Sequence, residues 1–234
     1  MDLCALILLA PVLIPLAALL GFAVFLDSPG PVLYRARRIG RGGRPFEMLK
    51  FRTMRYGLAG RSLAGAGDPR ITPLGRALRN SRLDELPQLW NVLRGEMSFV
   101  GPRPELAEFV EVHAADYRQI LSVAPGITGP TQLRYAGMEA RLLGGHEDPE
   151  AYYRDHLLPD KVALDLDYAR SRSGLGDLAI LALTFGLPIT LLRQRLGSQR
   201  SVATAAGPAF AYLGVFAVTC LTVLAFFLGV GSPR

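Results

Sequence analysis

Two uncharged apolar tracts limit what this chain can fold into. Residues 3–26 carry no charge, and neither do residues 201–233. A bilayer core of about 30 Å takes ~20 apolar helical residues, so each tract is long enough to enter or cross one. Nearly all the charge lies between them. The pattern predicts a membrane segment over 1–27, a cytoplasm-facing domain over 28–200 and a C-terminal membrane segment over 201–234, with 207–230 as a transmembrane helix. With half of its 234 residues hydrophobic, the chain is not disordered.

The first tract is not a signal peptide by its pattern. Asp2 sits where a basic region belongs, and no small-residue cleavage site follows. Pro11 and Pro15 lie inside it. Each removes a backbone donor and crowds the preceding turn, and a bilayer supplies no water to repair the loss. The segment therefore reads as a kinked or re-entrant helix, with Pro15 as the structural break.

Residues 28–82 hold thirteen lysines or arginines against two acids, a local net charge of +11. Such a surface attracts phosphate, whether on a lipid or on a phosphorylated substrate. Beside an apolar tract, Arg35, Arg37, Arg38 and Arg41 also mark the cytoplasmic side. Of the 26 basic residues, 24 are arginine, which reads as genome composition and carries no functional weight here. Cys4 and Cys220 both fall in apolar tracts and form neither a metal-ligand spacing nor a disulfide framework.

Within the domain, 32–34 and 46–51 read as short strands joined at Gly40–Gly43, a hairpin rather than a phosphate cradle. Residues 57–69 read as a loose loop. Leu83, Leu86, Leu89, Trp90 and Leu93 form a helical apolar stripe. A helix should start near Pro104, with Leu106, Phe109, Val110, Tyr117 and Leu121 on one face. Residues 125–130 read as a rigid irregular loop, and 149–172 as a further helix. The uncharged run 178–192 is short for a span and suits an interfacial amphipathic helix or a core helix. The fold class is α+β, mainly helical.

Leu83-Asp-Glu-Leu-Pro-Gln-Leu89 places two adjacent carboxylates where a helix begins, since proline is comfortable only in a first turn. Free backbone N–H groups and the helix dipole favour negative charge there. Asp84 and Glu85 could thus combine an ionised carboxylate, Mg²⁺ ligands and a phosphate site, a set suited to phosphoryl transfer. Taken alone, they read more simply as a helix cap and a solvated acid. Arg79 precedes the pair, Arg103 is held between two prolines, and Lys50 closes the second strand. Asp165-Leu-Asp167 resembles a short metal motif, but it sits in a helix whose acids should face water. His113, His146 and His156 lack partners at ligand spacing.

In order, the pieces are the proline-broken first helix, Asp27–Val32, Lys50–Met54, Asp68–Thr72, Arg82–Met97, Val100–Pro104 and Pro125–Gly129. Together they resemble the bacterial sugar transferases, monotopic polyprenyl-phosphate phosphoglycosyl transferases that begin surface-glycan assembly. The resemblance implies a re-entrant first helix and a domain seated on the bacterial inner membrane, facing the cytoplasm. It also implies that Asp84 attacks a UDP-sugar, releases UMP and passes the sugar phosphate to undecaprenyl phosphate. Glu85 and Mg²⁺ would assist, with both carboxylates as metal ligands, and Lys50, Arg79 and Arg103 would hold phosphates. Membrane lipid and other glycan-assembly enzymes are implied partners; nucleic acid is not. Ile14 stands before Pro15 where the family commonly has serine. The rival expectation is a non-catalytic membrane-anchored scaffold whose basic face binds anionic lipid or assembly partners.

Overall fold

The computed structural model describes residues 2–58, 63, 65, 67–135 and 138–185, apart from the Cys4 side chain. The expected transmembrane helix at 207–230 lies outside the described residues, as does the run beyond Phe185.

Helix α1 (Asp2–Asp27) continues through Pro11 and Pro15. The prolines thus do not interrupt the helix, contrary to a literal break at Pro15. They leave the carbonyls of Ile7 and Pro11 without their usual helical donors. Residues Ala5–Asp27 are long and apolar enough to cross a membrane, and almost none of that surface is buried in the protein. Both ends are nevertheless tied to one body. At the N-terminal end, Ser98 Oγ donates to Asp2 Oδ2 at 2.7 Å, and Leu6 packs with Ala36, Met48, Val92 and Met97. At the other end, Val24 packs with Phe51 and Leu78.

Strands β1 (Leu33–Ile39) and β2 (Pro45–Phe51) form the expected hairpin, paired antiparallel from Leu33↔Phe51 to Ile39↔Pro45. Gly42 and Gly43 adopt positive φ at its tip, which confirms the hairpin reading of the glycine cluster. At the open end, Arg52 donates to the carbonyls of Ser28 (2.5 Å) and Pro29 (2.6 Å). That guanidinium clamps the exit of α1 to the end of β2.

Helix α2 (Pro73–Ser81) starts at Thr72, whose hydroxyl accepts from the Gly75 N–H, with Pro73 in the first turn. Gly75 is required by contact: a Cβ there would lie 2.0 Å from the Thr53 carbonyl oxygen. Helix α3 (Gln88–Leu93) follows a one-turn 3₁₀ segment at Leu83–Glu85. Its burial adds a polar face to the expected stripe. Asp84, Glu85, Gln88 and Asn91 are buried, while Trp90 and Leu93 are exposed. The polar face meets β2, Leu83, Leu86 and Leu89 pack half-buried against the clusters that hold Val24 and Leu6, and Trp90 and Leu93 alone of the stripe turn outward, as a membrane-facing edge would.

Residues 125–130 are not irregular. Strand β4 (Gly126–Thr128) pairs in parallel with β3 (Ser98–Val100), and α6 (Pro130–Tyr135) begins at once. Close backbone approach explains the glycines that hid this strand: a Cβ on Gly126 would lie 2.1 Å from the Gly101 nitrogen.

The remaining helices are α4 (Ala107–Val112), α5 (Ala114–Ile120), α7 (Glu139–Gly144), α8 (Pro149–Tyr152), α9 (Leu158–Ser171) and α10 (Gly174–Thr184). A π-helical turn at Tyr153–Leu157 joins α8 to α9. Phe109, Tyr117, Ile120, Tyr153, Leu158 and Val162 form the main core, which places the α4–α5 apolar face as expected. Helix α10 starts earlier than the uncharged run suggested. It buries Ala179 and Ile180 while leaving Leu175 and Leu178 exposed.

Candidate active site

The site is built where α2 ends. Arg82 closes that helix in the left-handed region (φ 61°), the one such non-glycine among the described residues. Strain of this kind is uncommon for a side-chain-bearing residue and concentrates at functional sites. It turns the chain so that the 3₁₀ segment delivers Asp84 and Glu85 inward, each only 7% exposed.

Glu85 is the hub. Its Oε1 accepts from Lys50 Nζ at 3.0 Å and from Arg103 Nη2 at 2.9 Å, with Arg82 Nη1 at 3.9 Å. Burial opposes its charge, but Lys50 and Arg103 outweigh it and hold the carboxyl well below the usual range. Asp84 behaves oppositely. Burial first, and then the Glu85 charge beside it, push it up to about 6 against the pull of Lys50, Arg82 and Arg79. Two adjacent acids are thereby driven apart: one is a fixed counter-ion, the other an ionised carboxylate of raised energy at neutral pH. The largest influences on Asp84 are burial and neighbouring charges, and among the described residues no side-chain hydrogen bond reaches it.

Lys50, Glu85 and Arg103, named from sequence, therefore meet directly. Arg79 does not join that contact. Its Nε donates to Thr53 Oγ1 at 2.8 Å, and it reaches Asp84 through charge alone. Pro15 lies within α1. Among the described residues, no group of three or more His, Cys, Asp or Glu could hold a metal ion by itself.

Sequence reasoning missed a buried layer beneath Arg103. Lys161 Nζ donates to Glu139 at 2.7 Å and to the Tyr153 hydroxyl at 3.1 Å, and Tyr153 donates to Glu105. Asp165, expected to face water, is instead buried on α9. It accepts from Thr131 Oγ1 at 3.1 Å and from the Arg103 backbone N–H. A helical stripe read from apolar residues alone cannot see such polar pairing.

Burial pushes Asp165 up to about 8. The native state then keeps a proton that the unfolded chain, with an ordinary carboxyl near 3.8, has released. This contribution to stability is complete below about pH 4 and declines as pH rises toward 8. Each pH unit within that window costs the native state at most about 1.4 kcal/mol. Asp165→Asn should therefore melt above the parent by a margin that widens from pH 5 to pH 8. A constant margin in parallel thermal melts would contradict this.

The family model described as bacterial sugar transferase matches residues 1–190. The chain is 41% identical over 189 residues to a UDP-glucose:undecaprenyl-phosphate glucose-1-phosphate transferase of Caulobacter vibrioides, covering 79% of this chain and 66% of the relative. It is 38% identical to the Escherichia coli protein of the same name, covering 76% of this chain and 36% of the relative. An exopolysaccharide production protein of Rhizobium leguminosarum bv. phaseoli is 37% identical, covering 84% of this chain and 93% of the relative. Against several curated relatives, the chain spans about a third of their length. With its family match running from the first residue through most of the described domain, the chain belongs to the bacterial sugar transferase family.

Proposed function

We propose that this protein is a phosphoglycosyl transferase that moves a sugar 1-phosphate from a UDP-sugar to undecaprenyl phosphate. The carrying observation is the Asp84 carboxylate: buried, without a side-chain hydrogen bond among the described residues, and close to cations held by Glu85. An Asp84 oxygen bonds to the sugar-bearing phosphorus, and the bond from that phosphorus to the bridging oxygen breaks, its electron pair leaving with UMP. An oxygen of undecaprenyl phosphate then attacks the same phosphorus and returns Asp84 as a carboxylate. A carboxylate needs no base to act in this way. Lys50, Arg103 and Arg82 stand ready to balance the diphosphate charge. Arg79 and Thr53 flank the approach.

The residues fit Mg²⁺ as an ion shared with substrate. Such ions commonly take one or two carboxylates and complete their shell with phosphate and water. Asp84 would supply the free carboxylate, since Glu85 already serves Lys50 and Arg103. When bound, Mg²⁺ would neutralise the diphosphate charge.

A scaffold would gain nothing from three cations converging on a buried acid, an arrangement that costs desolvation. The test is UMP release on adding UDP-glucose and undecaprenyl phosphate to the membrane-reconstituted protein. Lipid retention without UMP would favour the scaffold.

The domain sits on the cytoplasmic face of the inner membrane, and α1 enters and returns on that side. The contacts made by both of its ends with one domain support this reading. Single cysteines at position 2 and in the hairpin tip should both resist a membrane-impermeant thiol reagent in intact cells, in a background lacking Cys4 and Cys220. Labelling at position 2 alone would show α1 crossing the membrane.

A further inference from the structure

We infer that Gln88 is a positioning residue for Asp84, its side-chain amide donating to one carboxylate oxygen while the other attacks the donor substrate. The inference rests on Asp84 being the nucleophile.

Gln88 is completely buried, and neither its Nε2 nor its Oε1 has a hydrogen-bond partner. Buried amides without partners are rare because they forfeit the bonds that water would supply. The next polar residue on the same face shows the contrast. Asn91 Oδ1 accepts from the Leu49 N–H at 3.0 Å, and its Nδ2 donates at 2.7 Å to both the Glu47 carbonyl and Glu96. The α3 face against β2 can therefore satisfy an amide completely, yet it leaves Gln88 unsatisfied.

Gln88 follows Asp84 by four residues, and Leu86 and Pro87 between them are helical. Side chains at that spacing are neighbours on one face. Among the described residues, Asp84 also has no side-chain hydrogen bond. One turn therefore carries two unmet groups of matching kind, a carboxylate acceptor and an amide donor. Substrate supplies the reason for them to meet: once one Asp84 oxygen is drawn to phosphorus, the other must be held for the approach to stay in line. Gln88 transfers no proton. The new bond is Asp84 oxygen to phosphorus, and the departing electron pair leaves on UMP.

Gln88→Met keeps length and shape while removing both polar atoms. Such a change at an unsatisfied buried amide is neutral or stabilising to the fold. The experiment uses the full chain in nanodiscs with UDP-glucose and no lipid acceptor, following the covalent sugar-phosphate adduct by rapid quench and mass spectrometry. The variant should melt no lower than the parent. Its KM for UDP-glucose should stay within about twofold, and adduct formation should slow about 10- to 100-fold, as for a misplaced reacting group. Gln88→Glu, which adds a like charge and loses the donor, should be slower still. Adduct formation by Gln88→Met at the parent rate would overturn the inference and leave the Asp84 assignment intact. A lowered melting point with unchanged chemistry would make Gln88 a folding residue and overturn it equally. A parent enzyme that forms no adduct on Asp84 would overturn both readings.

Discussion

Asp84→Asn should lose about 10⁴-fold or more in turnover, the order that follows removal of a covalent nucleophile, while melting no lower than the parent. The two halves of this result have one cause. Burial and the neighbouring Glu85 charge make the folded state resist ionisation of Asp84. Replacing it with a neutral isostere therefore relieves the fold while removing the attacking charge. The measurements are UMP release under saturating substrates, a thermal melt, and mass spectrometry of enzyme quenched without acceptor. The adduct should map to the peptide containing Asp84 in the parent and vanish in the variant. Near-parent turnover, or an adduct on another residue, would end the assignment.

Glu85→Gln should fail differently, in both stability and rate. The carboxylate offsets Lys50 and Arg103 at about 3 Å each, all three side chains being largely buried. Removing one partner of a buried pair leaves uncompensated charge and costs about 3–5 kcal/mol. At about 2–4 °C per kcal/mol for a domain of this size, the melting point should drop by roughly 6–20 °C. Lys50 and Arg103 would also lose their fixed positions, so turnover should fall about 100-fold, the scale of losing one preorganised electrostatic donor. Adduct formation at Asp84 should slow but remain detectable. A variant that melts and turns over like the parent would show that the cations are held by something other than Glu85.

Much of this was legible from particular residues. The hairpin followed from two short strand-like runs joined at Gly40–Gly43, and Asp84, Glu85, Lys50 and Arg103 stood in motifs whose chemistry suits phosphate. What escaped notice did so for physical reasons. β4 is short, glycine-bounded and buried by parallel pairing, so it shows no alternation. The 83–93 stripe was read correctly as helical, but the buried polar face opposite it, Asp84, Glu85, Gln88 and Asn91, gave no signal, because polar residues mark a buried face only where they find partners. Asp165 looked solvated because a sequence does not show which polar residues will find partners. The discarded arginine bias held the missed signal. The chain has only two lysines, Lys50 and Lys161. Both lie in ion pairs, half-buried Lys50 with Glu85 and buried Lys161 with Glu139. In a composition that supplies arginine by default, the compact ammonium persists at these two ion pairs.

The contacts of α1 carry a last consequence, for what can be separated from this protein. Leu6 belongs to the cluster that backs Met48 on the hairpin, and Val24 to the one that backs Phe51, so Lys50 lies on a strand wedged between two seats of the same helix. Arg52 fastens the helix exit two residues beyond that lysine. The anchor is thus a wall of the domain that carries the proposed site. Trimming it to obtain a soluble enzyme would open the hairpin's apolar underside and loosen Lys50, the partner of Glu85. A foreign transmembrane helix fused in its place would restore attachment without restoring catalysis. Bilayer thickness and detergent, by altering how α1 rests, would act on this enzyme as effectors.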